Sequence, residues 1–312
     1  MSVWHTDPED DLQIEQAILG DKLCLESDPD PNDIQVLIVH QTRVDTALLN
    51  RFSQLKGIVR LGVGYDKIDL QACHKRQIRV ANIPDYCTAE VADTTLAMML
   101  DLVRGGRQLE SALRHAPGQW QKLSLKHIRR SSCLTLGVVG AGRIGQAVLQ
   151  RARAFGFECL YYDPAVTDLA IGQRMPNLQA LLNQSDIVSL HVPLQADTAQ
   201  MVNAWFLEQL KPGAYLINTA RGQLLGDESL ILEALYSCRL GGLALDVLPV
   251  EPPTSQPLFQ AWLNQDPVLQ GRLIIQPHNA FYSQEAAQAV RQLAAEEALR
   301  CLNGIPFKHT VC

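Results

Sequence analysis

Short strand-forming runs alternate with amphipathic stretches along the first 90 residues of the chain. The runs cover residues 3–5, 36–39, 58–61 and 78–80. Helix-like segments, such as residues 12–19, separate them. Strands that alternate with helices are typical of βαβ units, which assemble a parallel sheet. The pattern therefore predicts that the N-terminal part of the chain is an α/β domain.

The same alternation resumes beyond residue 133. The strand candidates of this second part are residues 134–139, 159–162, 187–191, 215–218, 243–246 and 273–276. About six parallel strands is the number found in a complete doubly wound nucleotide-binding domain. We therefore predict a second α/β domain with a sheet of its own.

Two long helical patterns connect the predicted domains. One covers residues 89–107 and is ended or bent by Gly105 and Gly106. The other runs from an N-cap at Ser283 to a stop at Gly304, after the last strand candidate of the second sheet. Because no strand of that sheet remains to be covered, we predict that this final helix packs on the first domain.

The predicted elements define a domain inserted into another domain. Residues 1–92 and 283–312 form the first domain in this prediction, and residues 93–282 form the second. Residues 105–132, which include Trp120, are long for a connection inside a compact domain. We predict that they form an arm that packs on a partner subunit, which implies a homodimer.

Composition restricts the classes of function. The 312 residues are 47% hydrophobic, which is enough for two buried cores. The net charge is −6 and no basic run is longer than Arg129-Arg130, which argues against a nucleic-acid partner. We find no signal-peptide pattern and no apolar stretch near the ~20 residues that span a bilayer. We therefore expect a cytoplasmic protein with no membrane partner.

The eight cysteines give no indication of a metal site. They include no C-x-x-C pair, and no His lies beside them at the spacing of metal ligands. We therefore expect reduced thiols that act as small apolar residues, and no bound metal.

A glycine-rich loop, Gly140-Ala141-Gly142-Arg143-Ile144-Gly145, joins the first strand candidate of the second domain to a helical pattern. In such a loop Gly140 permits the tight turn, Gly142 lets the backbone approach a pyrophosphate, and Gly145 lets helix and strand pack closely. Asp163 ends the next strand, 21 residues after Gly142. An acidic residue there accepts hydrogen bonds from the adenosine ribose and repels a 2′-phosphate. The pair of signals predicts NAD as the cofactor.

Three polar residues follow later strand candidates of the second domain. Arg221 comes after Asn218-Thr219-Ala220, Glu251 lies between prolines, and His278 follows Gln276-Pro277. Ligands of doubly wound sheets bind at the carboxyl ends of the strands. We therefore expect these three side chains to share one site.

The motifs resemble those of the D-isomer-specific 2-hydroxyacid dehydrogenase family. The resemblance extends over nearly the whole chain, through Leu61-Gly62-Val63-Gly64-Tyr65-Asp66, Val138-Val139-Gly140-Ala141-Gly142-Arg143-Ile144-Gly145, Asn218-Thr219-Ala220-Arg221-Gly222, Asp246-Val247-Leu248-Pro249-Val250-Glu251-Pro252 and Pro277-His278-Asn279-Ala280. The C-terminal-binding-protein branch is the most similar, through Pro84-Asp85-Tyr86-Cys87-Thr88, Ile128-Arg129-Arg130 and residues 277–283. The resemblance implies two doubly wound parallel-sheet domains, with a Rossmann NAD-binding domain inserted into a flavodoxin-like substrate domain.

The resemblance implies a catalytic role for three residues. Arg221 would hold the substrate carboxylate through its two-pronged guanidinium. His278 would exchange a proton with the oxygen on C2, and Glu251 would orient the imidazole. The implied reaction is hydride transfer between NAD and a small D-2-hydroxy acid or its 2-oxo acid.

Further residues are implied to bind ligands. For the substrate, backbone N–H groups of Gly62, Val63 and Gly64 would meet the carboxylate, and His40, Arg60 and Phe281 would line the pocket. An aromatic wall at Phe281 suits an apolar or thioether side chain of the substrate, whereas Arg60 suits a second carboxylate, and both alternatives stay open. The implied cofactor contacts are Val63, Gly140, Gly142, Arg143, Ile144, Gly145, Asp163, His191, Pro193, Thr198, Thr219, Ala220, Arg221, Asp246, His278 and Ala280.

Two other functions fit the same motifs. The chain could be an NAD(H)-sensing binding protein similar to a corepressor, with incidental turnover. Phosphite oxidation uses the same Arg, Glu and His and the same scaffold. Formate oxidation is less compatible, because the formate enzymes pair Gln rather than Glu with the histidine.

Overall fold

The computed structural model describes residues 2–8 and 11–312. The chain divides into two compact units. The first unit comprises the described residues of Met1–Cys87 together with Tyr282–Cys312, and the second unit is Thr88–Phe281. No helix in the described ranges is long and apolar enough to cross a membrane.

The first unit contains a five-stranded parallel sheet. Its strands are β1 (Ser2–His5), β2 (Leu23–Cys24), β3 (Ile34–Val39), β4 (Gly57–Arg60) and β5 (Arg79–Ala81). Their order is β2-β1-β3-β4-β5, which is the flavodoxin-like order. All six residues of the central strand β3 are buried, because apolar layers cover both faces of the sheet. The short strand β2 lies outside the predicted strands.

Four helices cover the two faces of this sheet. They are α1 (Gln13–Leu19), α2 (Thr46–Arg51), α3 (Leu70–Lys75) and the C-terminal helix Gln284–Leu302. Ser283 caps the C-terminal helix through a 2.9 Å hydrogen bond from the Ala286 N–H group. The helix packs on α1, where Arg291 Nε donates to Glu15 Oε1 over 2.8 Å in a buried ion pair.

The second unit contains a seven-stranded parallel sheet. Its strands are β6 (Thr135–Val139), β7 (Glu158–Tyr162), β8 (Gln173–Arg174), β9 (Ile187–Leu190), β10 (Ala214–Asn218), β11 (Leu240–Leu245) and β12 (Leu273–Ile275). Their order is β12-β11-β10-β9-β6-β7-β8, so the direction of winding reverses between β6 and β9. This order confirms the predicted Rossmann fold, and the two sheets together confirm the predicted fold class. The predicted count of about six strands was short by one, since β8 consists of two exposed polar residues.

Seven helices accompany this sheet. They are α4 (Thr88–Arg104), α5 (Gly106–His115), α6 (Arg143–Ala154), α7 (Leu178–Gln184), α8 (Ala204–Gln209), α9 (Glu228–Tyr236) and α10 (Pro257–Leu263). Gly105 adopts a left-handed conformation with φ of 61°, which separates α4 from α5 where the two glycines predicted a break. The buried face of α4 packs on α6 and on the middle of the sheet.

Candidate active site

The glycine loop lies at the carboxyl end of β6, next to the point where the winding of the second sheet reverses. Gly140 has φ of 92°, and a Cβ atom there would lie 2.6 Å from the His191 carbonyl oxygen. A Cβ on Gly145 would lie 2.1 Å from the Gly140 carbonyl oxygen, whereas one on Gly142 would meet nothing within 4 Å. The loop therefore has the tight turn, the close helix packing and the open backbone that a pyrophosphate site needs.

Asp163 lies directly beside this loop. Its Oδ2 atom accepts a 2.8 Å hydrogen bond from the Ala141 N–H group. Its Oδ1 atom accepts from the N–H groups of Ala165 and Val166 at 2.8 and 3.1 Å. The carboxylate is thus fixed at the end of β7, next to the backbone that is predicted to bind the pyrophosphate.

Two predicted cofactor residues lie at the N-terminus of α6. Arg143 is the first residue of that helix and is exposed, and Ile144 is half-buried. Helix N-termini attract anions through their unpaired N–H groups. Both residues are thereby placed beside the open backbone of Gly142.

His191 follows β9, and its N–H group donates to the Val139 carbonyl oxygen of β6 over 2.7 Å. One ring nitrogen, Nε2, lies 2.8 Å from the Ser189 hydroxyl. Burial lowers the pKa of His191 to about 4, so the ring is neutral near physiological pH. The carbonyl oxygen of His191 is the atom that leaves no room for a side chain at Gly140.

Thr198 and Pro193 belong to one turn after β9. The Thr198 hydroxyl donates to the Pro193 carbonyl oxygen over 2.7 Å and accepts from the Gln195 N–H group over 2.8 Å. The conformation of this turn therefore depends on the Thr198 side chain.

The other predicted residues of the cofactor site follow β10 and β12. The Thr219 hydroxyl is buried and lies 2.9 Å from the Thr95 hydroxyl of α4. The Ala220 N–H group donates to Asn218 Oδ1 over 3.0 Å. The Ala280 carbonyl oxygen lies 3.4 Å from the Thr94 hydroxyl, which ties the segment after β12 to α4.

His278 and Glu251 form a hydrogen-bonded pair in the second unit. The Nδ1 atom of His278 lies 2.6 Å from Oε2 of Glu251. The two side chains are 44% and 35% exposed, so both can be reached by solvent. His278 has φ of 54°, an uncommon conformation for a residue with a side chain, and its N–H group donates to the Asp246 carbonyl oxygen over 2.7 Å. The backbone at this position is therefore held in a defined turn.

The environment of Glu251 favours its ionised form. Burial raises the pKa of Glu251, but the hydrogen bonds from His278 and the Leu248 N–H group, with the charges of His278 and Arg221, bring the pKa below its ordinary value. An ionised carboxylate can only accept a hydrogen bond. The Nδ1 atom of His278, which faces Oε2 of Glu251, is therefore the ring nitrogen that carries a proton and donates. The remaining ring nitrogen, Nε2, has no hydrogen-bond partner among the described residues.

Asp246 lies beneath this turn and is only 2% exposed. Its two carboxylate oxygens accept hydrogen bonds from the N–H groups of Asn279 and Ala280, each over 3.0 Å. Burial raises the pKa of Asp246, while these two N–H groups and the nearby charge of His278 offset part of the increase. Asp246 was predicted from the resemblance as a cofactor contact, and the structure places its carboxylate on the turn that carries His278.

Arg221 lies in the loop after β10. The next residue, Gly222, packs against the loop that carries Glu251. Asn218 Nδ2 donates to the Arg221 carbonyl oxygen over 2.8 Å, and Arg221 Nη1 donates to the Ala220 carbonyl oxygen over 2.7 Å. A Cβ on the next residue, Gly222, would lie 2.0 Å from the carbonyl of Leu248. The three predicted catalytic residues thus sit on the carboxyl ends of three adjacent strands, β10, β11 and β12.

Phe281 is the last residue of the second unit and faces the ring of His278. The ring centroids lie 6.4 Å apart with an interplanar angle of 82°, an edge-to-face arrangement. The aromatic side chain predicted to line the substrate pocket therefore lies beside the imidazole.

In the first unit, the predicted substrate residues lie at or just after the carboxyl ends of β3 and β4. Gly62 has φ of 138°, and a Cβ there would lie 2.5 Å from Nη1 of Arg60. The Arg60 guanidinium also donates to the Leu61 carbonyl oxygen, so it lies folded over the glycine loop. The backbone conformation therefore favours glycine at position 62, while the tip of the Arg60 side chain would have to move to admit a Cβ atom.

His40 follows β3, and an aspartate that sequence reasoning missed holds its loop. Asp7 Oδ2 accepts hydrogen bonds from the N–H groups of His40, Gln41 and Thr42 at 2.9, 3.1 and 3.1 Å. Burial and the charge of Arg60 lower the pKa of His40 to about 4, so its ring is neutral. In the sequence Asp7 is one of several polar residues that follow the first strand, so no local signal distinguishes it.

The comparisons with known proteins agree with these observations. Residues 96–280 match the family model described as D-isomer specific 2-hydroxyacid dehydrogenase, NAD binding domain. The chain belongs to this family. The match confirms the predicted family and, because the matched domain is an NAD-binding domain, the predicted cofactor. The assignment to the C-terminal-binding-protein branch stays a prediction.

Three relatives show how far the similarity to the family extends. A D-3-phosphoglycerate dehydrogenase of Methanocaldococcus jannaschii is 34% identical over 87% of this chain, which spans about half (50%) of that protein. A hydroxypyruvate reductase of Thermotoga maritima is 35% identical over 72% of each chain. The crystal structure of a D-lactate dehydrogenase from Aquifex aeolicus, with NAD and lactic acid, has a TM-score of 0.85 at 28% identity and covers 97% of this chain and 96% of its own.

Proposed function

We propose that the protein is an NAD-dependent D-2-hydroxyacid dehydrogenase that interconverts a small 2-oxo acid and the D-2-hydroxy acid. The observation that carries the proposal is the 2.6 Å hydrogen bond between Glu251 and His278, beside the loop of Arg221. An ionised carboxylate, an imidazole with one unpartnered nitrogen and a guanidinium form a set suited to reducing the carbonyl of an anionic substrate. In this proposal residues 93–282 are the NAD-binding domain, and residues 1–92 and 283–312 are the substrate domain.

The residues of the second unit fit the cofactor. The open backbone at Gly142 and the N-terminus of α6 would hold the pyrophosphate, and Asp163 would hold the adenosine ribose. The negative charge of Asp163 would disfavour NADP, which carries a 2′-phosphate. When bound, the reduced nicotinamide supplies a hydride to C2 of the oxo acid, and the oxidised form accepts one from the hydroxy acid.

His278 is the proposed acid and base. In reduction, protonated His278 would donate the Nε2 proton to the oxygen on C2 while C2 gains the hydride, leaving a neutral ring. In oxidation the same nitrogen would take that proton back. Glu251 would keep Nδ1 protonated and would stabilise the charged ring, which keeps Nε2 directed at the substrate.

Anion recognition is assigned to Arg221 and to two backbone N–H groups. We assign Arg221 to the substrate carboxylate, because its planar guanidinium can donate two parallel hydrogen bonds. The N–H groups of Val63 and Gly64 are the second set of donors in the proposal. The Gly62 N–H group, which the resemblance also implied as a donor, already donates to the Arg60 carbonyl oxygen over 2.9 Å. His40, Arg60 and Phe281 are the proposed pocket residues, with the other predicted cofactor contacts retained as proposals.

We also propose that the arm at residues 105–132 packs on a second copy of the chain. None of the ten residues of α5 is buried, and Trp120 is 69% exposed. A large aromatic side chain left exposed, close to a helix with no buried residue, is typical of a protein interface. Light scattering should give the mass of a dimer, and Trp120→Ser should shift the mass toward that of the monomer, whereas a monomeric wild type would overturn this part.

The cytoplasmic location stays a prediction.

The decisive test is whether a panel of small 2-oxo acids supports the oxidation of NADH. The reaction is measured as the loss of NADH absorbance. We expect turnover with some member of the panel and a product in the D series. Phosphite with NAD serves as a separate arm. Absence of turnover with every 2-oxo acid, together with NADH-dependent association seen by size-exclusion chromatography, would favour the partner-binding alternative instead.

A further inference from the structure

The residues that follow β5 hold two consecutive carbonyl groups of the Gly62–Gly64 loop. The side-chain amide of Asn82 donates through Nδ2 to the Val63 carbonyl oxygen over 2.7 Å. The N–H group of Ile83 donates to the Gly62 carbonyl oxygen over 3.0 Å. Both carbonyl groups are therefore turned toward the end of β5.

Peptide geometry fixes what the loop presents on its other side. In a planar trans peptide the C=O and N–H groups point in opposite directions. Because the Gly62 and Val63 carbonyl groups point toward β5, the N–H groups of Val63 and Gly64 point away from β5. Neither N–H group has an acceptor among the described residues. Two adjacent unpaired N–H groups form an arrangement that binds anions.

The backbone of Asn82 is itself hydrogen-bonded to the C-terminal tail, residues 309–312. The Asn82 N–H group donates to the His309 carbonyl oxygen over 3.3 Å, and the Val80 N–H group donates to the Cys312 carbonyl oxygen over 2.9 Å. Ala81 pairs with Thr310 in an antiparallel bridge. Hydrogen bonds to the tail therefore fix the backbone that carries the Asn82 side chain.

We propose that Asn82 is a positioning residue for recognition of the substrate carboxylate. Its carboxamide holds the Val63 carbonyl group, and this orientation keeps the Gly64 N–H group directed at the carboxylate. The inference rests on the proposed function, since it names the residue that prepares the anion site of that reaction. Asn82 does not touch the substrate in this account and acts through the loop alone.

The side chain of Asn82 has to be a donor for this role. Asn82→Asp keeps the shape but places a carboxylate oxygen opposite the Val63 carbonyl oxygen, which repels it. The loop peptide then loses its orientation, and a hydrogen bond between an N–H group and a charged acceptor is weakened. Such a loss affects the bound substrate and the transition state alike, so KM changes while kcat does not.

The test compares Asn82→Asp and Asn82→Ala with wild type in NADH oxidation driven by the best 2-oxo acid of the panel. We expect KM to rise about tenfold in Asn82→Ala and further in Asn82→Asp, with kcat changed less than about twofold. The inhibition constant of oxalate, a probe for the anion site, should rise in parallel. The dissociation constant of NADH, measured by fluorescence, should stay at the wild-type value.

Asn32→Ala is the matched control. Asn32 is an exposed residue of the same unit, and its amide donates to Asp30 Oδ1 over 3.0 Å. This variant should leave KM and the oxalate constant unchanged, and circular dichroism should show each variant folded. A wild-type protein without turnover overturns the proposed function and the inference with it. A wild type that turns over, with unchanged KM in folded Asn82→Asp, overturns the inference alone.

Discussion

Gly222 lies directly against the backbone of Leu248. A methyl group at position 222 would lie 2.0 Å from both the carbonyl carbon and the carbonyl oxygen of Leu248. Gly222 follows Arg221, and the Leu248 N–H group donates to Oε1 of Glu251 over 2.9 Å. This contact between two loops therefore determines how the guanidinium and the carboxylate stand relative to each other.

Substitution of Gly222 should disturb both loops. We expect Gly222→Ala to lower the free energy of unfolding by about 1–3 kcal/mol, because the backbone of Leu248 has to move. Activity should fall more than NADH binding. Urea unfolding and steady-state kinetics measure the two effects. Gly118→Ala is the control, since a side chain there meets nothing within 4 Å, and an equal loss in both variants would contradict the contact.

The proposed roles of His278 and Glu251 predict that substitutions of these residues lower kcat without preventing NADH binding. His278→Ala should lower kcat by about 10²–10⁴-fold, the range for loss of a general acid, while NADH still binds. Glu251→Gln should lower kcat less, because the amide can still accept a hydrogen bond from Nδ1 but cannot stabilise the charged ring. Rapid kinetics and NADH fluorescence provide the measurements. Normal turnover in His278→Ala would refute the mechanism.

The glycine loop predicts two different defects from the same substitution. Gly142→Ala should fold normally, because a Cβ there meets nothing, yet it should weaken NADH binding by about tenfold by blocking the approach of the pyrophosphate. Gly145→Ala should destabilise the unit, because its Cβ would lie 2.1 Å from the Gly140 carbonyl oxygen. Thermal unfolding and NADH titration distinguish the two. Wild-type NADH affinity in Gly142→Ala would exclude this position for the pyrophosphate.

Asp7 predicts an acid-dependent loss of stability. Burial raises its pKa, but the hydrogen bonds from His40, Thr6 and Thr42 outweigh burial and lower the pKa from 3.8 to about 2. A carboxyl group with a lowered pKa in the folded state stabilises the fold above its unfolded pKa, and this contribution disappears as the pH falls through the folded value. Wild type should therefore lose this contribution between pH 3.8 and about 2.

Asp7→Asn isolates the contribution of that carboxylate. Near neutral pH the variant should be less stable than wild type by about 1–2 kcal/mol, a figure reduced for partial exposure to solvent. The difference should shrink as the pH approaches 2, which urea unfolding at a series of pH values can follow. Asp21→Asn, at an exposed position of the same unit, should behave as wild type. A difference that does not depend on pH would show that the charge is not the cause.

The sequence was sufficient to predict the bounds of the helices and strands whose apolar runs are long. Strand β6 and the C-terminal helix were predicted close to their observed bounds, because a buried run and an N-cap mark them locally. The two-residue strands β2 and β8 were missed, since a pair of residues has no periodicity. Their pairing depends on the neighbouring strand, which a local pattern does not contain.

The site shows a similar division. Glycine and strand-end residues such as Gly142 and His278 were predictable, because the chemistry restricts the residue type at a fixed place in the fold. Asp7 and Asn82 were not singled out, although each also follows a strand. Asp7 binds N–H groups more than thirty residues away, and Asn82 binds a carbonyl 19 residues away. Partners so distant in sequence are determined by sheet order and register.

The C-terminal helix has a consequence for the order in which the protein can fold on the ribosome. The second unit is complete once Phe281 has been synthesised, whereas one apolar layer of the first unit includes buried side chains between Val290 and Phe307. Domains fold as units during synthesis, usually from the N-terminus onward. Here the strands of the first unit wait, with one face uncovered, until residues 290–307 emerge. Of the two units, the one whose strands are synthesised first is therefore the later to complete its fold.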